Sequence, residues 1–386
     1  MSPTLRALVF FVLFSGLGIP VVASAQAVPA PPAIDAKSYA LLDYDSGELI
    51  ASLNPDLHVE PASLTKVMTV YVAFDEIRQG RLHLDDPVLI SENAWRVSMD
   101  RDESRMFLDV GSRVKVSDLL RGIIVQSGND ACIALAEHIA GSQAAFVDLM
   151  NQYAKTLGLT DTHFADVNGM PDANHYTSAR DLVILARALI RNFPAEYKMF
   201  AERDFTWHKI HQDNRNGLLW KDPSVDGIKT GHTESAGYCL LSSAIRDGRR
   251  LIAAVMGTKS WAYRESASLE LLNYGFRFYE TDRVLGPEAP VATVRAYKGA
   301  TTQVGVGTLA PVYLALPAGS RAQLAVQPQI TQKAIAPLSA GQSLGQATIL
   351  LAGKPIKTVP LVALRDVAAG GFWRRLIDTI RLWLGW

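Results

Sequence analysis

Three short stretches of the sequence carry the side chains best suited to covalent chemistry, and the first contains Ser63 and Lys66. These residues are three positions apart in Ser-Leu-Thr-Lys, where a strongly helical pattern begins. Residues at this spacing share one face of a helix, so the lysine amine can reach the serine hydroxyl. A lysine whose ammonium form is disfavoured by burial and cationic neighbours can act as the base that activates the serine. Alone, the pattern is weak, because a helix-capping serine beside an exposed lysine has the same spacing.

The other two stretches are Ser127-Gly128-Asn129 and Lys229-Thr230-Gly231. The first lies between two helical segments, where a loop held by packed helices can present a hydroxyl and an amide. The second follows a β-rich run, so its lysine lies at a strand edge and its glycine lets another backbone come close. Each stretch alone is also compatible with an ordinary turn. Together, in this order, the three form the motif set of the penicillin-recognising serine enzymes.

The chain as a whole resembles the low-molecular-mass penicillin-binding proteins, specifically the serine D-alanyl-D-alanine carboxypeptidases that carry SxxK, SGN and KTGHT. The likeness runs nearly end to end and includes EPASLTKVMT, IIVQSGNDACIALAEHIAG, NRNGLLW, VDGIKTGHT, GYCLLSSA and YGFRFYET. It implies an enzyme that removes the terminal D-alanine from peptidoglycan pentapeptide stems. It also implies that β-lactam antibiotics such as penicillins acylate the same serine and leave it slowly.

The resemblance implies a catalytic role for four positions. Ser63 is expected to attack the carbonyl of the penultimate D-alanine, and Lys66 to take its proton. Ser127 is expected to pass a proton to the leaving amine. The backbone amides of Ser63 and His232 would hold the negative oxygen of the tetrahedral intermediate.

The remaining positions are expected to bind the substrate. Thr230 would meet the terminal carboxylate, while Asn129 and Lys229 organise the polar network. Arg215 in NRNGLLW and Arg264 in YRESA would add positive charge for that carboxylate, although single surface arginines are ordinary. The full substrate-binding set is Asn129, Lys229, Thr230, Gly231, His232, Arg215 and Arg264.

Two other functions share parts of this pattern. A serine β-lactamase also has Ser-x-x-Lys and Lys-Thr-Gly, but this chain has SGN in place of SDN and no convincing Glu-x-x-Leu-Asn segment. A non-catalytic peptidoglycan-binding scaffold would not need every catalytic position intact. The loop over residues 168–176 (NGMPDANHY) is a candidate for the border of the active site, where it would tune deacylation.

Composition excludes several other classes of protein. Lysine plus arginine (38) equals aspartate plus glutamate (38), so the chain lacks the positive field of a nucleic-acid binder. No metal or other cofactor is expected, because the eight histidines form no HExxH pattern and two cysteines cannot make a zinc knuckle. Cys132 and Cys239 lie in apolar segments and are interpreted as small buried thiols, with their pairing left open.

The first residues indicate export from the cytoplasm. Arg6 precedes an apolar run that glycines and a proline interrupt, and Ala23-Ser24-Ala25 offers small residues for cleavage. Residues 1–25 are therefore predicted to be a signal peptide. An uncleaved anchor is the alternative, but the run is short for a membrane span. The protein is expected on the periplasmic face of the inner membrane, as a peripheral protein.

The strands and helices predicted around the motifs indicate an α+β fold. A hairpin is predicted over residues 38–53 and an antiparallel sheet is completed by runs at 225–228, 238–245 and 250–256. Helical periodicity is found from Pro61 and at 116–125, 130–139, 143–157, 177–192 and 262–279. The resemblance implies a penicillin-binding/β-lactamase-like transpeptidase domain, an antiparallel sheet with a helical subdomain, over residues 34–282.

A second domain is expected because 386 residues exceed what one core usually organises. Near Gly286-Pro287 the composition changes to few charges and many Val, Ala, Thr, Pro and Gly in short alternating runs. A small all-β domain, a β-sandwich, is predicted over residues 283–366. Within it, Gly305-Val306-Gly307 is predicted to be a turn.

The last residues, 370–386, are predicted to form an amphipathic helix that holds the protein to a membrane surface. The apolar arc consists of Phe372, Trp373, Leu376, Ile377, Ile380, Trp383 and Leu384. The opposite side consists of Arg374, Arg375, Asp378 and Arg381. The segment from 372 is only about 23 Å long and carries arginines, so it should lie among the lipid headgroups rather than span. Docking on its own domain is the alternative.

Overall fold

The computed structural model describes residues 28–99 and 103–385. The predicted signal peptide, residues 1–25, lies outside this part of the chain. The N-terminal strands are β1 (Ser38–Asp43), β2 (Leu49–Leu53), β3 (Pro87–Leu89), β4 (Arg113–Lys115), β5 (Asp204–Trp207), β6 (Ile210–Asp213), β7 (Val225–Thr233), β8 (Gly237–Arg246) and β9 (Arg249–Thr258). The helices among them are α1 (Lys66–Arg78), α2 (Glu92–Met99), α3 (Val116–Arg121), α4 (Asn129–Ala140), α5 (Gln143–Leu157), α6 (Ala179–Asn192), α7 (Leu218–Lys221) and α8 (Trp261–Phe278).

A five-stranded antiparallel sheet in the order β2-β1-β9-β8-β7 is the scaffold of the site. Its central strands are buried on both faces, which is why β9 is almost uninterrupted apolar sequence. One face packs against α8, and the other faces the large core to which α1, α4, α5 and α6 contribute. The predicted α+β architecture is confirmed. The motif strand β7 lies at one edge of this sheet, where it contacts the segment that contains Ser63.

One predicted helix is interrupted in the structure. The periodic pattern over 116–125 divides into α3 and a π-helical turn, Gly122–Gln126, which ends at Ser127 in the left-handed conformation. π-turns inside helical segments are rare and often occur at functional sites. Hydrophobic spacing alone does not reveal such a turn, because the apolar positions remain buried across it.

The C-terminal part is all-β, as predicted. Its strands are β10 (Tyr279–Leu285), β11 (Ala292–Tyr297), β12 (Gln303–Gly307), β13 (Val312–Pro317), β14 (Leu324–Ile330), β15 (Ala334–Ile335), β16 (Ser343–Leu351) and β17 (Lys354–Ala363). They form a six-stranded sheet, β14-β16-β17-β12-β11-β15, and a pair, β10-β13, around a separate core. Because β10 begins directly after α8, its residues lie on both sides of the boundary that the sequence places between 282 and 283.

The turn predicted at Gly305-Val306-Gly307 is wrong, because these residues belong to strand β12. Val306 is fully buried, and Gly305 pairs with Thr293 of β11. A Cβ on Gly305 would lie 3.2 Å from the Cβ of Pro290, and one on Gly307 would lie 3.2 Å from Leu364 Cδ1. The glycines therefore permit close packing against neighbouring segments rather than a reversal of the chain.

The chain ends in α9 (Phe372–Trp383), whose polar side faces the β domain. Asp378 is 1% exposed and accepts hydrogen bonds from Lys298 N (2.7 Å), Arg295 Nη2 (3.0 Å) and Arg381 Nη1 (3.3 Å). The large apolar residues of the helix are exposed, and Trp383 reaches 84%. Among the described residues, no helix is both long and apolar enough to cross a membrane.

Both cysteines are free and buried, in agreement with the interpretation as small core residues. Burial raises the pKa of the Cys132 thiol to about 12 and that of Cys239 to about 11. Both thiols are therefore protonated at neutral pH.

Candidate active site

Ser63 and Lys66 meet as their spacing predicts. Ser63 lies in a 3₁₀ segment, Ala62–Thr65, and Lys66 is the first residue of α1. Lys66 Nζ donates to Ser63 Oγ at 2.8 Å and to the carbonyl oxygen of Asn168 at 2.6 Å. The preceding residue, Ala62, has φ of 48°, a conformation that few residues other than glycine adopt. The backbone is thus held in an uncommon geometry beside the serine.

The environment of Lys66 favours a neutral amine. The side chain is 1% exposed, and this burial is the main reason that the pKa of Lys66 lies below its ordinary value of 10.5. The positive charge of Arg215 lowers it further, whereas Asp166 and Glu103 act in the opposite direction. A buried lysine with a lowered pKa that contacts a hydroxyl has the properties of a general base.

The second motif presents its hydroxyl from a strained position. Ser127 has φ of 69° and is 2% exposed, and its Oγ has no hydrogen-bond partner in the described parts of the chain. Asn129 begins α4, and its Nδ2 donates to Glu103 Oε2. An unpaired buried hydroxyl costs free energy, and Ser127 lines the same cleft as Ser63.

The third motif lies on β7 at the edge of the sheet. Lys229 is 3% exposed, and burial holds its pKa well below 10.5, with further lowering by the charges of Lys66 and Arg215. A Cβ on Gly231 would lie 2.9 Å from the carbonyl oxygen of Pro61. This is the close backbone approach that the Lys-Thr-Gly motif predicts, and it brings β7 against the segment that carries Ser63.

Two arginines add positive charge to the same cleft. Burial lowers the pKa of Arg215 and brings that of Arg264 to about 10. Arg264 is 2% exposed, and its Nη1 donates to the carbonyl oxygen of Gly231 at 3.2 Å. Asn214 and Asn216 flank Arg215 and each accepts a backbone amide within the turn, which orders the loop. Neither arginine is an ordinary solvated surface residue.

The resulting cleft has a volume of about 280 Å³. It is lined by Ser63, Ser104, Ser127, Arg215, Thr230, Gly231, His232, Tyr238, Trp261 and Arg264. Seven of these are among the residues predicted from the sequence, and the other three predicted residues, Lys66, Asn129 and Lys229, are buried behind this lining. Ser104, Tyr238 and Trp261 were not anticipated. Tyr238 lies opposite His232 in the β7-β8 hairpin, and its one signal in the sequence is its place in GYCLLSSA, a stretch that carries the family likeness.

The loop over residues 168–176 borders the site, as suggested by the sequence. Its Asn168 carbonyl is the second acceptor for Lys66, and a Cβ on Gly169 would overlap the Ala62 carbonyl. The carboxylate of Asp166 holds the loop by accepting from the amides of Asn168 (2.8 Å), Gly169 (2.5 Å) and Met170 (2.9 Å). The loop therefore fixes one of the two oxygen atoms that Lys66 contacts.

The side chains that line the cleft are mainly hydroxyls, aromatic rings and guanidinium groups. Across the described residues, no group of three or more His, Cys, Asp or Glu side chains is arranged to hold a metal ion. The cleft instead collects a hydroxyl, a buried amine at hydrogen-bond distance and several cations. This arrangement suits acyl transfer on a substrate that ends in a carboxylate.

The sheet, the helical core and the three motifs around one cleft define a penicillin-binding-like fold. The chain belongs to the D-alanyl-D-alanine carboxypeptidase family, whose sequence profile matches residues 24–260, and the profile "Penicillin-binding protein 5, C-terminal domain" matches residues 279–369. D-alanyl-D-alanine carboxypeptidase DacA of Escherichia coli is 43% identical over 93% of this chain and 91% of its own length. DacC of the same organism is 40% identical over 100% of this chain and 98% of its own length.

Solved structures give the same result. Penicillin-binding protein 5 from Haemophilus influenzae superposes with a TM-score of 0.85 at 43% identity, over 88% of this chain and 99% of that one. Penicillin-binding protein D2 from Listeria monocytogenes, in its ampicillin-bound form, has a TM-score of 0.58 at 26% identity and covers 64% of this chain and 100% of its own.

Proposed function

We propose that this protein is a serine D-alanyl-D-alanine carboxypeptidase that cleaves the terminal D-alanine from peptidoglycan pentapeptide stems through an acyl-enzyme on Ser63. The observation that carries the proposal is the 2.8 Å contact between Lys66 Nζ and Ser63 Oγ in a buried setting. The named relatives favour this activity over that of a β-lactamase or a non-catalytic scaffold. β-Lactams acylate the same serine.

Acylation begins with transfer of the Ser63 proton to Lys66. The amine is available for this step because burial disfavours its charged form, and the Asn168 carbonyl accepts one of its N–H groups, which leaves its lone pair to face the serine. Ser63 Oγ then bonds to the carbonyl carbon of the penultimate D-alanine. The backbone amides of Ser63 and His232 hold the oxyanion, as preorganised donors do in acyl transfer.

The leaving D-alanine needs a proton on its nitrogen. Ser127 relays to it the proton that Lys66 took from Ser63, and its unpaired Oγ in the cleft supports this role. Asn129 and Lys229 organise the network around Ser127. Water then hydrolyses the ester and releases a stem peptide that is one residue shorter.

The terminal carboxylate of the substrate binds at the cationic end of the cleft. Thr230, Arg215 and Arg264 line this end, and burial lowers the pKa of both guanidinium groups. A carboxylate from the substrate would offset part of the cost of burying these charges.

Release of free D-alanine from diacetyl-L-lysyl-D-alanyl-D-alanine tests the proposed function. Protein without residues 1–25 should release D-alanine, and Ser63→Ala should abolish both this release and covalent labelling by penicillin. Retention of turnover by Ser63→Ala would refute the nucleophile assignment. Labelling at Ser63 without D-alanine release in the unmutated protein would instead indicate a β-lactamase or a binding protein.

The proposed domain organisation follows the predicted boundaries. Residues 1–25 form a signal peptide, 34–282 the catalytic domain, 283–366 the β domain and 370–386 the membrane-anchoring helix, which together place the enzyme on the periplasmic face of the inner membrane. Sequencing the N-terminus of protein purified from a bacterial envelope should identify Gln26 as the first residue. A first residue of Met1 would refute cleavage.

The orientation of α9 supports the membrane role. Asp378 fastens the polar side of the helix to the β domain, so the apolar arc is exposed and can enter a headgroup layer. Deletion of residues 372–386 should release the protein from vesicles that contain anionic phospholipid, while D-alanine release continues. Unchanged vesicle binding after the deletion would refute this role.

A further inference from the structure

Trp261 and Glu265 lie next to the cationic end of the cleft, and no step above uses them. Helix α8 begins at Trp261, after Ser260 caps it by accepting a hydrogen bond from Tyr263 N. Residues at i, i+3 and i+4 share one face of a helix, so Trp261, Arg264 and Glu265 are neighbours on its first turn. Trp261 is 47% exposed and lines the cleft, whereas the Glu265 side chain is only 3% exposed.

Glu265 connects this turn to the loop that carries Arg215. Its Oε1 accepts from Trp261 Nε1 at 2.6 Å and from Gly217 N at 3.2 Å, and its Oε2 accepts from Lys221 Nζ at 2.6 Å. Gly217 follows Arg215 by two residues, and a Cβ there would overlap the Glu265 carboxylate. One buried carboxylate therefore orients the indole ring and also holds the loop that carries Arg215.

Arg264 is stacked between two aromatic rings. Its guanidinium carbon lies 4.7 Å from the ring centroid of Trp261 and 5.7 Å from that of Tyr238, which in turn stacks on His232 at 4.0 Å. Its Nε has no hydrogen-bond partner in the described ranges. Because a planar guanidinium stacks well on aromatic faces, these contacts determine the plane in which its N–H groups point.

We propose that Trp261 and Glu265 are positioning residues for recognition of the substrate's terminal carboxylate. Trp261 holds the Arg264 guanidinium facing the cleft, and Glu265 holds both Trp261 and the Arg215 loop. The proposal rests on the role proposed above for the two arginines. Its consequence is that selectivity for a free C-terminal carboxylate depends on an uncharged ring as well as on the cations.

Two substrates with the same acyl group test this selectivity. Diacetyl-L-lysyl-D-alanyl-D-alanine ends in a carboxylate, whereas the methyl thioester of diacetyl-L-lysyl-D-alanine has none, and both yield the same acyl-enzyme. Trp261→Ala should lower kcat/KM for the peptide about 10-fold, mainly through KM, and change it for the thioester by less than about twofold. Trp261→Phe, which keeps a ring, should restore most of the loss.

Glu265→Gln should also lower the ratio of kcat/KM for the peptide to kcat/KM for the thioester. A neutral amide cannot accept hydrogen bonds from the indole and the ammonium group as the carboxylate does. Trp220→Ala is the matched control because Trp220 is also 47% exposed but does not line the cleft, and Glu270→Gln changes an exposed acid on the same helix. Neither control should change the ratio.

Arg264→Gln distinguishes a failure of the positioning role from a failure of the carboxylate site. If it lowers the ratio while Trp261→Ala and Glu265→Gln do not, the positioning role is refuted and the carboxylate site stands. An unchanged ratio in Arg264→Gln would refute the carboxylate site and, with it, this inference. An equal loss on both substrates in Trp261→Ala would also refute it, because that result indicates a general structural effect. Thermal unfolding shows whether each variant is folded.

Discussion

The active-site cleft and the junction between α9 and the β domain both bury charge, but they treat it differently. At the junction, Asp378 accepts three hydrogen bonds, from one amide and two arginines. In the cleft, Lys66, Lys229 and Arg264 are almost fully buried with few acceptors. A buried charge with several hydrogen-bond partners fastens two elements together, whereas a buried cation with few partners is poised either to lose its proton or to bind an anionic ligand.

The largest expected effect comes from removing an under-paired charge in the cleft. Lys66→Ala should slow acylation of Ser63 by penicillin about 10³-fold, because it removes the general base. The thermal midpoint should not fall, since the variant also removes the cost of burying the amine. Stopped-flow acylation and thermal unfolding measure the two effects. Lys155→Ala, an exposed lysine on α5, is the control. If Lys66→Ala were less stable but still acylated at the full rate, the buried charge in the cleft would serve stability, as it does at the junction, and the contrast between the two regions would be refuted.

Removing the paired charge of Asp378 should have the opposite result, with weaker docking of α9 and unchanged activity. Asp378→Ala leaves the Lys298 amide and Arg295 without their acceptor and should weaken docking of α9 by about 1–3 kcal/mol. Hydrogen exchange over residues 372–383 should accelerate while D-alanine release is unchanged. Arg375→Gln, which alters an exposed charge of the same helix, should leave exchange as it is. Unchanged hydrogen exchange in Asp378→Ala would show that the apolar side of α9, not the carboxylate, determines how the helix is docked.

The same junction should respond to acid. Burial raises the pKa of Asp378, but the Lys298 amide and the Arg295 and Arg381 guanidinium groups outweigh burial, so the pKa lies below 3.8. A carboxyl with a lower pKa in the docked state stabilises docking above its undocked pKa. That contribution is lost as the pH falls through the docked pKa. Exchange over 372–383 should therefore increase on acidification, and less so in Asp378→Asn.

The smallest expected effect is a displacement of the pH profile of acylation. The neutral amine of Lys66 is the base, so acylation is lost as the pH falls below the pKa of Lys66. Glu103 raises this pKa, and Glu103→Gln keeps an acceptor for Asn129 while removing the charge. The acidic limb should move to lower pH with little change in the maximal rate. A shift to higher pH, or none, would show that Glu103 does not act on Lys66.

Much of the site could be predicted because its motifs are local. Ser63 and Lys66 meet through the geometry of one helical turn, and Gly231 allows its neighbours to approach because it has no Cβ. The incorrect prediction of a turn at Gly305 has a related cause. A glycine signals either a turn or close packing, and only the partner segments, Pro290 and Leu364, distinguish the two.

The residues that were missed act through long-range contacts. Trp261 follows no motif, and its place at the cleft depends on how α8 packs on the sheet. The outward orientation of the apolar side of α9 likewise depends on Arg295 and Lys298, which are about eighty positions away in the chain. The sequence alone determined the chemistry, the α+β class and the amphipathic character of α9. The tertiary structure decided which charges remain unpaired, because pairing depends on partners that only folding brings within hydrogen-bond distance.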